Sequence, residues 1–324
     1  MPGFRRTVAA LSSLMLVVAC GPQPQPTTDK STGVDSATAH ATAFDESAWR
    51  PLTEKDIPGD SLGASIRRGL YLLRFTNESL PQYATSNLRC VSCHLNDGLK
   101  PEAAPLTGSH ARFPKYMGRT GAVIDLAERV NYCFTRSLAG NAIPKGSREM
   151  QDILAYIAFI SKGVPVGYKL KGADGLVSTT DTLDADGGRG EPVFKAKCQV
   201  CHGANGAGAV PPAPALWGPK SYSIGASMAR LERAASFIKH NMPFNDPGSL
   251  TLQEAFDLSA YINSHPRPDS PGKEKDYPVG GAAADTPYDT FGHKAYRPPA
   301  TLVPRANLRG AAEVPAPASL RKSK

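Results

Sequence analysis

Leu62, Ile66, Leu70 and Leu73 recur at the spacing of a single helical face and predict an amphipathic helix ahead of residue 90. Met150, Ile153, Leu154, Ile157 and Ile160 repeat the pattern; Ser147 is placed to cap that helix and Gly163 to stop it. This stripe reads as core. Gly190 and Phe194, four apart, share one face of a third helix that leads into Cys198, and a further helical stretch is expected from about Ser227 to Lys239. Thr251-Leu-Gln-Glu254 has the form of a capping box and opens a helix running to about His265, where Pro266 ends it. Helix, cysteine pair, loop, helix therefore occurs twice.

Between the two units, Leu170 to Gly188 is rich in Gly, Asp and Thr and poor in large apolar residues, so an irregular surface linker is expected there. Beyond Pro266 the chain is rich in Pro, Gly and Ala. It should carry little regular structure, wrapping the domains or hanging free, with solvated basic residues Arg305, Arg309, Arg321, Lys322 and Lys324 near its end. At the other end, Arg5 and Arg6 precede an apolar run from Val8 to Ala19, the order of a secretory signal and too short for a comfortable membrane span. The run closes in Val17-Val18-Ala19-Cys20-Gly21, which resembles a bacterial lipobox, and a Pro/Gln/Thr/Ser/Ala-rich tether follows from Pro22 to Ala43. The expected organisation is a signal peptide over 1–19 and a lipoprotein tether over 20–48. Domains follow over 49–168 and 189–266, joined by a linker over 169–188, with a tail over 267–324. This places the protein in the periplasm, anchored through Cys20 and touching the membrane only by that lipid.

Composition narrows the function classes. The formal charge of +8 falls to +6 when Arg5 and Arg6 leave with the signal. No cluster of Lys and Arg interleaved with aromatics appears, which argues against nucleic-acid binding.

The chemistry lies in Cys90-Val-Ser-Cys93-His94 and Cys198-Gln-Val-Cys201-His202. Two thiols separated by two residues can bond both vinyl groups of one porphyrin, and the adjacent histidine is then placed to ligate the iron. Two covalently bound haem c groups are expected, with His94 and His202 as proximal ligands and the haem propionates lowering the net charge. A shared zinc is disfavoured because more than a hundred residues separate the pairs, and a redox dithiol because neither motif has a βαβ setting. The fold class that follows is mainly α, two class I cytochrome c-like domains in tandem with an irregular linker and a C-terminal tail.

The remaining axial ligand should come from the loop before the final helix of each unit. In the second unit Met242, before Pro243, is the expected potential-raising thioether, with His240 and then Met228 as competitors. In the first unit Met117 and Cys133 are both available. A free cysteine is commonly a small buried hydrophobe, but Arg119, Arg129 and Arg136 are permanent cations that favour a thiolate and suit oxyanions.

These stretches resemble the dihaem thiosulfate dehydrogenases, also described as bifunctional thiosulfate dehydrogenase/tetrathionate reductases. The resemblance runs from about Ile57 to Tyr288. It is carried by Leu80-Pro-Gln-Tyr83, the first haem motif, Phe113-Pro-Lys-Tyr-Met-Gly-Arg119, Arg129-Val-Asn-Tyr-Cys-Phe-Thr-Arg-Ser137, Asn241-Met-Pro243 and Tyr261-Ile-Asn-Ser-His-Pro-Arg-Pro268. It implies a His94/Cys133 haem at the active site and a His202/Met242 haem for electron exit. Arg119, Arg129 and Ser137 would serve as substrate-pocket residues. Some members carry a lysine before the methionine that competes for the iron; Asn241 stands there in this chain. The implied reaction couples two thiosulfates to tetrathionate, with electrons passed to an external acceptor such as a soluble cytochrome c or another periplasmic redox protein. The reverse direction, a non-catalytic electron carrier and a Sox-type subunit are the competing readings. A cytochrome c peroxidase would have no use for the Cys133 segment.

Overall fold

The computed structural model describes residues 44–171, 184–211 and 213–295 and the backbone of 311–312. The expected signal peptide, Cys20, most of the tether, the middle of the linker and the basic residues from Arg305 onward lie outside the described residues.

Two helix pairs organise the chain, as the periodicity predicts. Helix α1 (Ser61–Arg74) starts where the Asp60 carboxylate accepts from Gly63 N at 2.8 Å. Helix α2 (Leu126–Tyr132) is closed by a capping box of Asp125 and Glu128. Helix α3 (Arg148–Phe159) is capped by Ser147, whose hydroxyl accepts from Met150 N at 3.2 Å. In the second unit α4 spans Gly187–Lys197, α5 Leu231–Asn241 and α6 Leu252–Asn263, the last opened by the expected Thr251/Glu254 box. A small antiparallel hairpin, β1 (Lys115–Met117) with β2 (Ala122–Ile124), pairs Tyr116 with Val123.

The two helix crossings are copies of each other. A Cβ on Gly69 of α1 would lie 2.0 Å from the Asp152 carbonyl oxygen of α3, and one on Gly190 of α4 would lie 2.1 Å from that of Asp257 in α6. Only glycine allows backbones to approach so closely. Beside each crossing an arginine clamps the same aspartate, Arg68 to Asp152 and Arg189 to Asp257, both at 2.8 Å. Tyr156 and Tyr261, four residues after those aspartates, complete the match.

Several boundaries depart from expectation. Leu62, placed on the buried face by periodicity, is 59% exposed, while Ile66, Leu70 and Leu73 are buried; Leu62 lies in the first turn, beyond the reach of α3. Helix α3 ends at Phe159, so Gly163, at φ +86°, belongs to the turn that follows. The linker yields to helix at Gly187, because the Asp186 side chain accepts from Gly188 N at 2.7 Å and caps α4. The stretch from Ser227 to Lys239 is not one helix: Arg230 is extended, and α5 begins at Leu231. Asp285 of the tail sets that break by accepting from Arg230 Nε at 2.6 Å and Glu232 N at 3.1 Å. Ordered contacts also begin inside the expected tether: Glu46 accepts from Tyr168 Oη and Lys171 N, and Phe44 packs edge-on against Tyr168.

Each unit has its own core, but the first is not built from its own residues alone. Ile66, Leu73, Phe134, Met150 and Ile157 share it with Tyr222, Ala226 and Ala229, which follow the second haem motif in sequence. The second core gathers Phe194, Trp217, Leu231, Phe256 and Tyr261. A third patch, Leu95 and Ala103 against Phe237, joins the units. Each large apolar side chain fully buried in these clusters contributes about 1.5–3 kcal/mol. Polar bonds register the seam: Asn87 N donates to Lys220 O at 2.9 Å, and the buried Asn241 amide donates to Glu102 O at 3.0 Å.

Candidate functional site

Cys90 begins a short 3₁₀ turn, Cys90–Ser92, held by the buried Thr76: Cys90 N donates to its hydroxyl at 3.0 Å, and that hydroxyl lies 3.3 Å from Cys90 Sγ. The motif folds back on itself, His94 N donating to Cys90 O at 3.0 Å. His94 Nδ1 is bonded to the Ala104 carbonyl, which fixes the proton there and leaves Nε2 with its lone pair free to ligate. His202 repeats the device with the Pro214 carbonyl, 2.9 Å from its Nδ1. Cys90, Cys93, Cys133, Cys198 and Cys201 form no disulfide.

Cys133 follows α2 at the start of a π-helical turn, Cys133–Ser137, in which Leu138 N donates to Cys133 O at 2.8 Å. Such widened turns recur at functional sites because they re-aim side chains. Here Cys133, Phe134 and Ser137 line a cleft with about 570 Å³ of empty space, and Cys90, Cys93 and His94 line it too. Both candidate axial donors of the first unit thus face one apolar cleft flanked by the pair of thiols. These features fit a covalently attached haem: a histidine with a committed Nδ1, a sulfur facing it and an apolar slot between. Among the described residues no group of three or more His, Cys, Asp or Glu could hold a metal ion by itself.

The electrostatics favour the thiolate. Burial pushes the Cys133 thiol up. The Arg129 guanidinium beside it pulls it back down, below the ordinary thiol value. Arg129 sits one turn earlier on the helix, its Nη1 3.3 Å from Cys133 Sγ. The structure therefore brings Arg129 and Ser137 to Cys133. Arg119 is held elsewhere, its Nη1 donating to Gly225 O at 2.9 Å and its Nε lying 3.7 Å from Asp276. Met117 lies in β1, outside the cleft lining.

In the second unit Met242 leaves the end of α5 and packs against the core that also holds Cys198. His240 turns its Nδ1 to Ser236 O at 2.8 Å, and Met228 packs on the first core and the seam. Met242 also packs on the seam patch of Leu95, Ala103 and Phe237. Asn241 is fully buried and spends its amide on Glu102 O and Phe237 O. Thr76, Tyr222 and Asp276 were not visible as site residues in the sequence, since each acts through contacts more than ten residues away.

The family described as SoxA/TsdA, cytochrome c domain, matches residues 82–166, and the cytochrome c family matches 188–266. The thiosulfate dehydrogenase of Psychrobacter arcticus is 40% identical over 257 residues, which are 76% of this chain and 78% of that protein. That of Allochromatium vinosum is 40% identical over 65% of this chain and 82% of its own length. Among solved structures, the as-isolated form of thiosulfate dehydrogenase (TsdBA) from Marichromatium purpuratum superposes with a TM-score of 0.65 at 32% identity and covers 70% of this chain. This chain spans about half, 51%, of that one.

Proposed function

The chain belongs to the thiosulfate dehydrogenase family, a group of cytochrome c oxidoreductases, and from that premise we propose that it joins two thiosulfates through their outer sulfurs into tetrathionate at the Cys133 cleft. The observation that carries the reading is that His94 and Cys133 line one cleft while Arg129 Nη1 lies 3.3 Å from the Cys133 sulfur. One S–S bond forms, none breaks, and two electrons leave.

Haem c would be held through each Cys-x-x-Cys-His motif, with His94 and Cys133 in the first unit and His202 and Met242 in the second as the residues that would ligate it, and it would supply one-electron redox chemistry. The protein's own task is electrostatic. Two dianions 4 Å apart repel by about 4 kcal/mol for each pair of unit charges at an effective dielectric near 20. Arg129 lies where it offsets part of this, and Ser137 offers a hydroxyl to a sulfonate oxygen. The apolar cleft wall excludes water and strengthens both interactions.

Electrons leave by the second haem to an external acceptor, a small cytochrome c or a comparable redox protein. Support comes from exposure: Cys201 is exposed and Val200 is 73% exposed, whereas Cys90 and Cys93 are half-buried. Export to the periplasm and lipidation at Cys20 rest on the N-terminal sequence and on the need for covalent haem attachment. The test is thiosulfate-driven reduction of added cytochrome c by the purified holoprotein, with tetrathionate assayed. One tetrathionate for every two electrons is expected, and acceptor reduction without tetrathionate sinks the proposal.

A further inference from the structure

The chain beyond residue 266 lies outside both family matches, yet it returns to the first domain. Ile224 N donates to Pro268 O at 2.9 Å, and Ser270 packs so tightly on Gly225 that a Cβ there would meet its hydroxyl at 2.3 Å. The segment then delivers Asp276, only 3% exposed, between two arginines of the first domain. Its Oδ1 accepts from Arg136 Nη2 at 2.5 Å, and its Oδ2 accepts from Tyr288 Oη at 2.8 Å and lies 3.7 Å from Arg119 Nε. Tyr277 N donates to Arg119 O at 2.7 Å, and the Tyr277 ring lies 5.5 Å from the Arg119 guanidinium. The Arg119 side chain is thus held from the second half of the chain, while Arg136 belongs to the π-helical turn that carries Cys133.

We propose that Asp276 is a positioning residue for the anion site of the first domain, anchoring the Cys133–Ser137 turn through Arg136 while holding Arg119 in the same network. This rests on the reading of that site as a thiosulfate pocket. The tail completes the pocket from outside the domain that contains it. The alternative roles of a buried carboxylate here differ in sign. If Asp276 acted only as a charge, its loss would leave two guanidiniums uncompensated and attract a dianion more strongly, lowering KM. If it orients them, its loss lets the forks turn away, and KM rises.

The test is Asp276→Asn in the holoprotein. KM for thiosulfate should rise and kcat/KM fall on the order of tenfold, with the optical and paramagnetic spectra of both haems unchanged. In a double-mutant cycle with Arg136→Lys the two losses should be less than additive, because Asp276 acts through Arg136. Tyr288→Phe, which keeps the carboxylate and removes one of its hydrogen bonds, should raise KM in the same direction by less; it carries the test if the Asn variant does not fold. An unchanged or lowered KM in the variant that folds, or full additivity with Arg136→Lys, overturns the proposal. The two readings fail separately: if Arg129→Lys is impaired and Asp276→Asn is not, only Asp276 loses its role, whereas wild-type kinetics in Arg129→Lys removes the pocket itself.

Discussion

Replacing Arg129 separates the two things a guanidinium does beside Cys133. At the observed 3.3 Å between Nη1 and Sγ, a full charge pair is worth about 5 kcal/mol at an effective dielectric near 20. That gross attraction is opposed by the desolvation of both groups. The net value of one charge-assisted hydrogen bond is about 1.5–3 kcal/mol. Arg129→Lys keeps the charge and loses the planar fork, so kcat/KM for thiosulfate should fall roughly ten- to a hundred-fold. Arg129→Gln loses the charge as well and should fall further, giving the order Arg, Lys, Gln. The assay is initial-rate reduction of cytochrome c over a range of thiosulfate concentrations, with optical spectra taken to confirm both haems. Arg129→Lys keeps a cation beside the Cys133 sulfur, so its haem spectra should barely change, whereas Arg129→Gln removes that cation and should shift the spectrum of the first haem alone. Wild-type kinetics in the Lys variant, or a Gln variant equal to the Lys variant, would refute the pairing of fork and charge with substrate.

Cys133→Ala should abolish a low-spin thiolate-ligated haem signal in low-temperature paramagnetic resonance and spare the His/Met signal; two unchanged signals would remove Cys133 from the iron. Met242→Ala should leave the first haem reducible by thiosulfate in stopped flow but depress steady-state turnover, since a tenfold bias in electron distribution corresponds to about 59 mV for a one-electron couple; full turnover with an unaltered second-haem spectrum would point to His240. His265 is stacked on Trp217 at 4.0 Å, and burial pushes its pKa below the ordinary 6.5. The unfolded chain therefore binds the proton more readily, so this contribution to stability is present above about pH 6.5 and lost as the pH falls through and below it. Thermal melts of His265→Phe from pH 8 to 5 should accordingly lose less on acidification than those of the wild type, and parallel curves would show that His265 titrates alike in both states.

The helices and the haem motifs were legible because they are local. Ser147 and the Thr251/Glu254 box cap the helices they were expected to cap, and each motif fixes its own histidine within a dozen residues. The pairing of Cys133 with Arg129 was also legible, being one helical turn. What sequence spacing could not carry were contacts across the fold. Asp285 breaks the expected helix at Arg230, and Asp276 takes hold of Arg119 from 157 positions away, so neither leaves a periodic trace. Arg68-Gly69 and Arg189-Gly190, each clamped on an aspartate four residues before a tyrosine, form an internal repeat. Its meaning becomes plain only when both crossings are seen together.

The sharing of the first core with Tyr222, Ala226 and Ala229 has a consequence for biogenesis. A chain synthesised from its N-terminus presents Cys90 and Cys93 long before the residues that finish the wall around them. Until about residue 229 has emerged, the first pocket lacks part of its apolar lining, and the two thiols stay reachable for the attachment machinery. The second motif also waits on later residues, Trp217 to Ile262, but all of them belong to its own unit. The first haem would then be loaded into an open site that closes behind it, and a chain cut before residue 222 should be left with its cofactor exposed along the seam.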